Sequence, residues 1–354
     1  MKKEEFVKGR GAQINAHNKF DRFQRVQEHW EGIDEEDLSL QGKTEYIEVF
    51  PKSIVNHVDS ADLKMGYSMN PYQGCEHGCL YCYARNSHNY WGYSSGVEFE
   101  QKILVKKNAA KLLEETFRKK DWKALPIMFS GNTDCYQPAE RKFGITRQML
   151  EICLKYKHPV SMITKNSLIE RDLDILEEMN RLNLVHVSIT LTSLDEDLRR
   201  LLEPRTASAQ KKLRTIELLS SKQIPVNVMM APIIPGLNSH EIFALAKATA
   251  DKGASAFNYT IVRLNGSIGE VFTDWVRKTF PDRADKVIHQ IEECHGGKLN
   301  DSRFGVRMRG EGKTAEMVSQ MVKVARQKFF RDRVMRPLDC DSFTQNKKGQ
   351  LPLF

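Results

Sequence analysis

The sequence predicts an α/β protein in which six parallel strands alternate with helices. From about residue 65 onward, short apolar runs with strand character alternate with amphipathic stretches of helical period. Six such strand–helix units follow one another. Each helix crosses back over the sheet so that the next strand runs in the same direction as the one before, which makes the sheet parallel. Two architectures fit the pattern: a doubly wound open sheet, and a curved, partly closed barrel that falls short of the eight units and about 250 residues of a full barrel.

The predicted strands are short apolar runs, and helical patterns separate them. The strands cover residues 65–70, 126–131, 160–164, 184–190, 226–231 and 256–262. The helices carry apolar residues three or four positions apart and cover residues 108–119, 146–157, 168–180, 209–221, 239–251 and 270–279. A further extended run, residues 97–105, interrupts the first unit. In either architecture, function is expected at the carboxyl ends of the strands.

Composition and hydropathy predict a soluble, cytoplasmic protein. Its 354 residues, 40% of them hydrophobic, suffice for one large core with appended segments. Residues 1–18 hold no apolar stretch resembling a signal peptide, and the longest apolar run, around 226–237, is shorter than the ~20 residues that span a bilayer. We expect an N-terminal extension at 1–60, a core domain at 61–300 and a basic C-terminal extension at 301–354.

Three of the seven cysteines lie within eight residues, at positions i, i+4 and i+7. Cys75, Cys79 and Cys82 follow the first predicted strand, on a loop whose two glycines permit a tight backbone that curls three thiolates around one compact object. A structural zinc site or an ordinary ferredoxin cluster needs four ligands, and no fourth cysteine lies nearby in the sequence. Two interpretations remain: a cubane iron–sulfur cluster with one open iron, and a zinc site completed by His77 or a distant histidine.

The spacing Cys-x3-Cys-x2-Cys, with the aromatic Tyr81 before the last cysteine, resembles the signature of the radical S-adenosylmethionine (SAM) superfamily. The resemblance implies one [4Fe-4S] cluster on Cys75, Cys79 and Cys82, with an open iron that binds the amino and carboxylate groups of SAM. An electron from the cluster then splits the sulfonium, and the 5′-deoxyadenosyl radical removes hydrogen from carbon centres that acid–base chemistry cannot reach. The resemblance also implies an external electron donor and places Tyr81 beside the cofactor.

This resemblance extends over nearly the whole chain. The strings at 70–82, 133–140, 163–165 and 203–205 resemble uncharacterised radical SAM proteins grouped with spore photoproduct lyase, as do short strings near both termini. It implies a partial (β/α)6 barrel of the radical SAM type with N- and C-terminal extensions, and an enzyme acting on DNA or another nucleic acid in a repair-like reaction. Two alternatives stay open: a radical SAM enzyme acting on a small molecule, tRNA or protein, and a non-catalytic iron–sulfur protein that binds nucleic acid.

Residues at the ends of the second and third predicted strands are candidates for cofactor binding. Gly131, Asn132, Thr133 and Asp134 follow strand two, where radical SAM enzymes often carry a loop whose backbone carbonyls receive the SAM ammonium group. Lys165 closes strand three, where its ammonium group is suited to the SAM carboxylate or to a substrate phosphate. We therefore expect these five residues to meet around SAM, with a surface charge as the alternative for Lys165.

Strands four and five add further candidates. Ser188 and Thr190 give strand four a polar face where a buried parallel sheet should be apolar, so they either line the SAM cavity or form hydrogen bonds within the core. Arg205 is a second carboxylate or phosphate ligand or a surface charge, and Pro232 resembles the apolar segment that packs on adenine. Cys135, at the mouth of the predicted cavity, is a hydrogen donor to a product radical or, as a lone cysteine more often is, a packed small hydrophobe.

The net charge of +8 is concentrated near the C-terminus. Residues Arg303 to Arg336 include ten basic and three acidic residues, which makes this stretch either a nucleic-acid surface or a solvated helix face. The last five residues, Gln350 to Phe354, resemble the peptide by which bacterial replication and repair proteins bind the DNA sliding clamp. The alternative for this peptide is a tail folded back on its own core.

Overall fold

A seven-stranded sheet forms the centre of the protein in the computed structural model, which describes residues 7, 9–18, 20, 43–63 and 65–345. The strands are β1 (Glu45–Val49), β2 (Val55–His57), β3 (Tyr67–Met69), β4 (Tyr72–Gln73), β5 (Lys102–Lys106), β6 (Ile127–Phe129), β7 (Val160–Thr164), β8 (Val185–Thr190), β9 (Val226–Ile233) and β10 (Ala256–Ile261). The sheet runs in the order β10-β9-β8-β7-β6-β3-β2. All neighbours are parallel except β2, which pairs with β3 in antiparallel register.

Eleven α-helices lie in the described part of the chain. They are α1 (Glu98–Gln101), α2 (Ala109–Phe117), α3 (Ala139–Phe143), α4 (Ile145–Lys155), α5 (Leu173–Arg181), α6 (Glu196–Leu202), α7 (Ala209–Ser221), α8 (Ile242–Asp251), α9 (Ile268–Thr279), α10 (Ala284–Cys294) and α11 (Gly312–Phe329). Three 3₁₀ helices, Tyr83–Trp91, Ser167–Asp172 and Ser239–Glu241, precede or join them. The last two open the predicted helices at 168–180 and 239–251, which therefore begin with a tighter turn than a uniform helical pattern suggests.

The strand order decides between the two predicted architectures. Strands β3, β6, β7, β8, β9 and β10 lie side by side in their sequence order, with no reversal. Because parallel crossovers share one hand, an unreversed order places the connecting helices on one face of the sheet, and the sheet curves with the helices outside. Both β2 and β10 remain edges, so the predicted partial (β/α)6 barrel is confirmed and the doubly wound sheet is excluded.

Alternating burial along the strands separates an outer, apolar face from an inner one. In β9, Val226, Val228 and Met230 are fully buried beneath the helices, whereas Asn227 and Met229 on the opposite face are partly exposed. The same alternation in β7, β8 and β10 gives the barrel a partly accessible interior. The inner face is therefore where polar side chains collect.

A second sheet of three strands, in the order β1-β5-β4, holds the cysteine loop from the outside. Strand β5 pairs in parallel with β1 and in antiparallel register with β4. The predicted extended run at 97–105 is partly wrong, because it starts as the short helix α1 before β5 begins. The Glu98 carboxylate accepts a hydrogen bond from the Ser94 N–H at 2.6 Å, which favours a helical turn at this point.

The C-terminal extension covers the free edge of the barrel. The backbone N–H of Ile261 in β10 donates to the Met308 carbonyl at 3.0 Å, and carbonyls of β10 accept hydrogen bonds from Arg309 and Arg326. These contacts satisfy an edge that would otherwise expose unpaired backbone groups.

Residues 331–345 continue across the amino-terminal ends of the strands. His186 bonds to the Arg336 carbonyl at 2.7 Å, and the Thr344 N–H donates to the Tyr156 carbonyl at 3.0 Å. At the other end of the chain, β1 and β2 place part of the predicted 1–60 extension within the two sheets. Among the described residues, no helix combines the length and hydropathy needed to cross a membrane.

Candidate active site

The cysteine loop follows β4 at the carboxyl ends of the barrel strands, and its backbone is held on several sides. Gly74 has a φ of +80°, and a Cβ built on it would lie 2.5 Å from the Lys102 carbonyl oxygen. The Cys75 N–H donates to the Phe99 carbonyl at 2.9 Å. Gln137 donates to the Gly74 carbonyl and accepts from the Glu76 N–H, both at 3.0 Å. The loop conformation is thus fixed by the protein itself.

The donor set of this loop fits an iron–sulfur cubane. Cys75 and Cys79 are buried and Cys82 is partly exposed. Burial raises the pKa of the Cys75 thiol well above its ordinary value, and the nearby Asp134, Cys79 and Cys82 raise it further. Nowhere in the described ranges do three His, Cys, Asp or Glu side chains converge closely enough to hold one metal ion. A cubane takes each thiolate on a different iron, so three separated thiols on one loop suit it.

An N-terminal segment packs directly on the cysteine loop. Gly11 lies so close to it that a Cβ at this position would come within 1.8 Å of the Gly78 carbonyl oxygen. The Glu100 carboxylate accepts the N–H groups of Gly11 at 3.0 Å and Ala12 at 2.8 Å, and it pairs with Arg85 at 2.6 Å. Arg85 and Glu100 are both fully buried. This ion pair joins the segment to the first turn after the cysteines.

A fully buried carboxylate, Glu203, organises the polar centre of the site. It accepts hydrogen bonds from the hydroxyls of Tyr81 and Thr192. The ammonium groups of Lys165 and Lys212 lie 3.3 Å and 3.0 Å from its two oxygens. Burial alone would raise the pKa of Glu203, but the two lysines and the hydroxyl donors hold it well below its ordinary value. Tyr81 and Lys165, which the sequence predicted as cofactor-binding residues, therefore both contact Glu203, which the sequence did not predict.

Asp134 links the second and third strand ends to the cysteine loop. One carboxylate oxygen lies 3.3 Å from His77 Nδ1 and accepts the Lys165 N–H at 2.8 Å. The other accepts the Thr164 hydroxyl at 2.8 Å. Burial raises the pKa of Asp134, yet attraction to His77 and the hydrogen bonds outweigh burial and leave the pKa below its ordinary value. Asp134 thus serves the loop as a scaffold.

The other residues of the predicted strand-two loop are also held by the protein. Asn132 donates to Gln73 at 3.0 Å, and the Thr133 hydroxyl donates to the Tyr72 carbonyl. Gly131 approaches β3 so closely that a Cβ would lie 2.8 Å from that of Ser68, and its carbonyl accepts the Tyr83 hydroxyl at 2.7 Å. The side chains of this loop point to the scaffold, which leaves backbone groups as its contribution to a ligand.

Cys135 does not lie at the mouth of a cavity, as one interpretation of the sequence required. Its side chain is fully buried and belongs to the main apolar core between the sheet and the outer helices. The Cys135 carbonyl accepts the Thr146 hydroxyl at 2.6 Å. The alternative of a packed small hydrophobe is the one that the structure shows.

The remaining predicted residues divide between the barrel and the outer surface. The Ser188 hydroxyl accepts a hydrogen bond from Asn227 at 3.1 Å on the inner face, and Thr190 is buried at the end of β8. Pro232 is buried near the end of β9, where Lys165 donates to the preceding Ala231 carbonyl at 3.4 Å. These three residues lie at or inside the barrel, and their role in binding SAM stays a prediction.

Arg205 lies on the outer side of the cysteine loop. Its guanidinium is 3.3 Å from the Glu76 carboxylate, and its N–H donates to the His77 carbonyl at 3.3 Å. The sequence left Arg205 as a carboxylate or phosphate ligand or a surface charge, and the structure places it partly exposed and paired with Glu76. In the connection between β8 and α7, the Glu203 side chain points into the site. Arg205, two residues later, therefore points away from it.

Glu203 and Lys212 are the residues of this site that the sequence did not indicate. The string at 203–205 was singled out for its arginine. Lys212 lies three residues after Ala209 and four before Ile216, on the buried face of α7, where a lysine needs a partner. A weak signal was also available for Glu203. It follows α6 in the connection between β8 and α7, and such connections pass the carboxyl ends of the barrel strands, where the site lies.

Exposed aromatic rings and an arginine lie on segments that follow the carboxyl ends of the strands. The exposed Tyr83, Tyr90 and Trp91 lie on the 3₁₀ helix after the cysteines. Arg263 follows β10, and burial together with the nearby Arg307 lowers the pKa of its half-buried guanidinium. Arg263 forms no hydrogen bond or ion pair with any residue that the structure describes.

Phe304 extends this surface. It is 58% exposed, and the Arg307 guanidinium lies 4.5 Å from the centre of its ring. Arg307 also pairs with Asp62, which closes the gap between the hairpin β2–β3 and the covered edge of β10. We call Tyr83, Tyr90, Trp91, Arg263 and Phe304 the mouth surface.

The sequence was compared with family models and curated proteins. The model described as the radical SAM superfamily matches residues 69–248. An uncharacterised protein of Mycobacterium tuberculosis is 31% identical over 238 residues, which cover 66% of this chain and 70% of that protein. An uncharacterised protein of Methanocaldococcus jannaschii is 28% identical over 198 residues, which cover 56% and 71% of the two chains.

Solved structures with a similar fold include spore photoproduct lyase. Its complex with dinucleoside spore photoproduct gives a TM-score of 0.59 at 15% identity, covering 83% of this chain and 85% of that one. A mutant of that enzyme with bound S-adenosylmethionine and dinucleoside spore photoproduct gives a TM-score of 0.60 at 14% identity, covering 80% and 79%. At this level of identity, the likeness shows the fold.

Proposed function

This chain belongs to the radical SAM superfamily, and we propose that its Cys75, Cys79 and Cys82 hold one [4Fe-4S] cluster with which it cleaves SAM reductively. The observation that carries the proposal is the set of three thiols on one fixed loop at the carboxyl ends of the barrel strands. When bound, the cluster supplies an electron to the SAM sulfonium, and the resulting 5′-deoxyadenosyl radical removes hydrogen from a substrate carbon.

One cation of the site, Lys165, acts directly on two of these thiols. The Lys165 ammonium acts on Cys79 and Cys82, where it opposes the rise in thiol pKa that burial causes. It also reaches the Ala231 carbonyl, beside Pro232 at the end of β9. We propose that Lys165 would bind the SAM carboxylate, and that its charge, partly neutralised by Glu203, would also favour thiolates at Cys79 and Cys82.

Measuring 5′-deoxyadenosine tests the proposal. The protein is reconstituted anaerobically with iron and sulfide, reduced with dithionite and supplied with SAM, and iron and sulfide are quantified in the same sample. We expect about four irons per chain and formation of 5′-deoxyadenosine that depends on reductant. A fully loaded protein that forms none, with or without single-stranded DNA, would instead indicate an iron–sulfur binding protein.

For the substrate we propose a nucleic acid, bound at the mouth surface. Exposed aromatic rings next to cationic groups bind single-stranded nucleic acids by stacking on bases and attracting phosphates. Trp91 and Phe304 are 42% and 58% exposed, and Arg263 forms no hydrogen bond or ion pair among the described residues, so these three side chains are accessible to a ligand. Spore photoproduct lyase, whose fold is similar, has been solved in complex with dinucleoside spore photoproduct. A small molecule, tRNA or protein substrate is the competing proposal.

The basic segment Arg303 to Arg336 contributes less to this surface than its charge indicates. Arg303, Arg307, Arg309, Arg326 and Arg333 bond to carboxylates or backbone carbonyls of the protein itself. Lys313, Lys323, Lys328, Arg331 and Arg336 are exposed and form none of these bonds. We propose these five, with Arg263, as the phosphate contacts of a strand that runs from the mouth surface along α11 to the amino-terminal ends of the barrel strands, where Arg331 and Arg336 lie.

Binding of a nucleic acid should depend steeply on salt. At the slope of about −0.7 per contact for single strands, six phosphate contacts predict that affinity for a single-stranded oligonucleotide falls by about 300-fold between 50 and 200 mM salt. Fluorescence anisotropy of a labelled 20-nucleotide strand measures this. Replacing Arg263 with Gln should reduce the slope of log affinity against log salt by the share of about one phosphate contact. Lys247→Gln on α8, which is not one of the six proposed contacts, should leave the slope unchanged. A flat response in the wild-type protein would favour a small molecule or a protein.

We propose that residues 350–354 bind the bacterial DNA sliding clamp, and these residues lie outside the described part of the chain. The proposal rests on the resemblance of the string Gln-Leu-Pro-Leu-Phe to clamp-binding peptides. The clamp should bind the full-length protein, and deletion of residues 350–354 should abolish binding, because the leucine and phenylalanine side chains would fill its apolar pocket. Surface plasmon resonance on immobilised clamp measures this, with Gln345→Ala as the matched control. Equal binding after the deletion would refute the proposal.

A further inference from the structure

The outer side of the cysteine loop carries a positively charged surface that the reaction at the barrel opening does not use. Arg141 and Lys142 lie on α3, Arg205 precedes α7 and Lys211 lies in its first turn. Arg141, Arg205 and Lys211 line one surface pocket of about 390 Å³. We call these four residues the cationic face.

This face is separated from the cysteines by a single layer of side chains. Arg205 contacts the Glu76 carboxylate at 3.3 Å, and Glu76 is the residue next to Cys75. Glu76 and His77 are both buried beneath the surface, each 1% exposed. Asn166, which also lines the pocket, lies 3.2 Å from His77 Nε2. A molecule bound on the cationic face would therefore lie against the back of the cysteine loop.

The charge of the face is only partly neutralised. Arg205 is paired with the buried Glu76, and Lys211 with Glu170 at 2.9 Å. Arg141 and Lys142 are exposed and have no carboxylate within 4 Å among the residues that the structure describes. The Lys142 ammonium instead lies 4.9 Å from the centre of the Tyr46 ring, beside Phe143. Exposed cations next to aromatic rings are the kind of surface that acidic proteins bind.

We propose that the cationic face is the docking site for the electron donor, a small acidic protein that carries one electron on a flavin or an iron–sulfur centre. This inference rests on the proposed function, because an electron is needed there only if the cysteines hold a cluster. The donor loses one electron, the cluster gains it, and no proton or group is transferred. Complementary charge brings the two proteins together rapidly, and the thin layer over the loop keeps the electron path short.

Charge reversal on α3 tests the proposal with the full-length, cluster-loaded protein. Flavodoxin in its reduced form is the probe, and stopped-flow absorbance measures the second-order rate of cluster reduction. The double variant Arg141→Glu/Lys142→Glu should lower this rate at least about tenfold at low salt, and Arg141→Gln/Lys142→Gln should lower it less. The wild-type rate should fall as salt rises, because screening weakens the attraction.

A matched variant and two further measurements separate the outcomes. Lys286→Glu/Lys298→Glu makes the same charge change on and after α10, outside the cationic face, and should alter the rate less than twofold. Calorimetry with oxidised flavodoxin and protein lacking the cluster should show the same loss of binding in the α3 variant. Excess dithionite should reduce the cluster equally in all variants, which confirms that each is folded and loaded.

Two results would overturn the docking proposal: flavodoxin rates for the α3 variant within twofold of wild type, or an equal loss in the α10 variant. Binding of inorganic phosphate to the pocket without binding of flavodoxin would assign the face to a small anion instead. A wild-type protein that accepts electrons from flavodoxin but forms no 5′-deoxyadenosine would contradict the proposed function and leave the docking site intact.

Discussion

Replacing Cys79 with alanine is expected to abolish 5′-deoxyadenosine formation and the visible absorbance of the cluster. Cys79 is buried at the centre of the loop, where no other thiol is within reach to replace it among the described residues. Loss of an outer-shell partner of a metal ligand already costs roughly 10–100-fold, so loss of the ligand itself should cost more. Cys75→Ala and Cys82→Ala should behave in the same way. Iron content, absorbance and chromatographic quantification of 5′-deoxyadenosine measure the effect.

A cysteine outside the loop provides the control. Cys340 lies on the C-terminal segment, is partly exposed, and its thiol lies only against the Leu338 carbonyl at 3.8 Å. Cys340→Ser should keep full iron content and full product formation. Formation of 5′-deoxyadenosine in any of the three loop variants at more than a tenth of the wild-type rate would show that the cluster lies elsewhere.

Replacing Glu203 with alanine is expected to lower the free energy of unfolding by about 3–5 kcal/mol, the usual cost of leaving a buried charge without its partner. Lys165 and Lys212 would both lose their carboxylate, and Lys212 is only 1% exposed. The hydroxyls of Tyr81 and Thr192 would lose their acceptor as well. Urea denaturation followed by circular dichroism measures the change. The protein is used without the iron–sulfur cluster, so that release of the cluster does not add to the measured free energy of unfolding.

An exposed glutamate gives the comparison for this prediction. Glu217 on α7 pairs with Lys252 at 3.0 Å at the surface, and Glu217→Ala should cost less than about 1 kcal/mol. The pH dependence provides a second readout. Since the folded pKa of Glu203 lies below its unfolded value of about 4.3, its contribution is present above that pH and is lost as the pH falls toward the folded pKa. A Glu203→Ala variant with wild-type stability would show that the lysines find water or another acceptor.

The sequence alone predicted the local elements, because hydrophobic period and spacing are properties of neighbouring residues. Strand β7 and helix α7 have the predicted bounds, and the six barrel strands all lie within a few residues of their predicted positions. The cysteine spacing with Tyr81 likewise identified the radical SAM family, which the comparison with family models confirmed. Both can be read from the sequence without knowledge of the tertiary structure.

The tertiary structure decided which distant side chains meet. Glu203, Lys165 and Lys212 come from three different elements, and only the strand order and register bring their charges together in the site. Arg309 and Arg326, two arginines of the basic C-terminal segment, donate to carbonyls at the edge of β10, which needs partners because the barrel stays open. Burial of Cys135 in the core is likewise set by packing rather than by sequence neighbours. Composition records how many charges and thiols a chain has, whereas packing determines whether each faces water, a partner or the core.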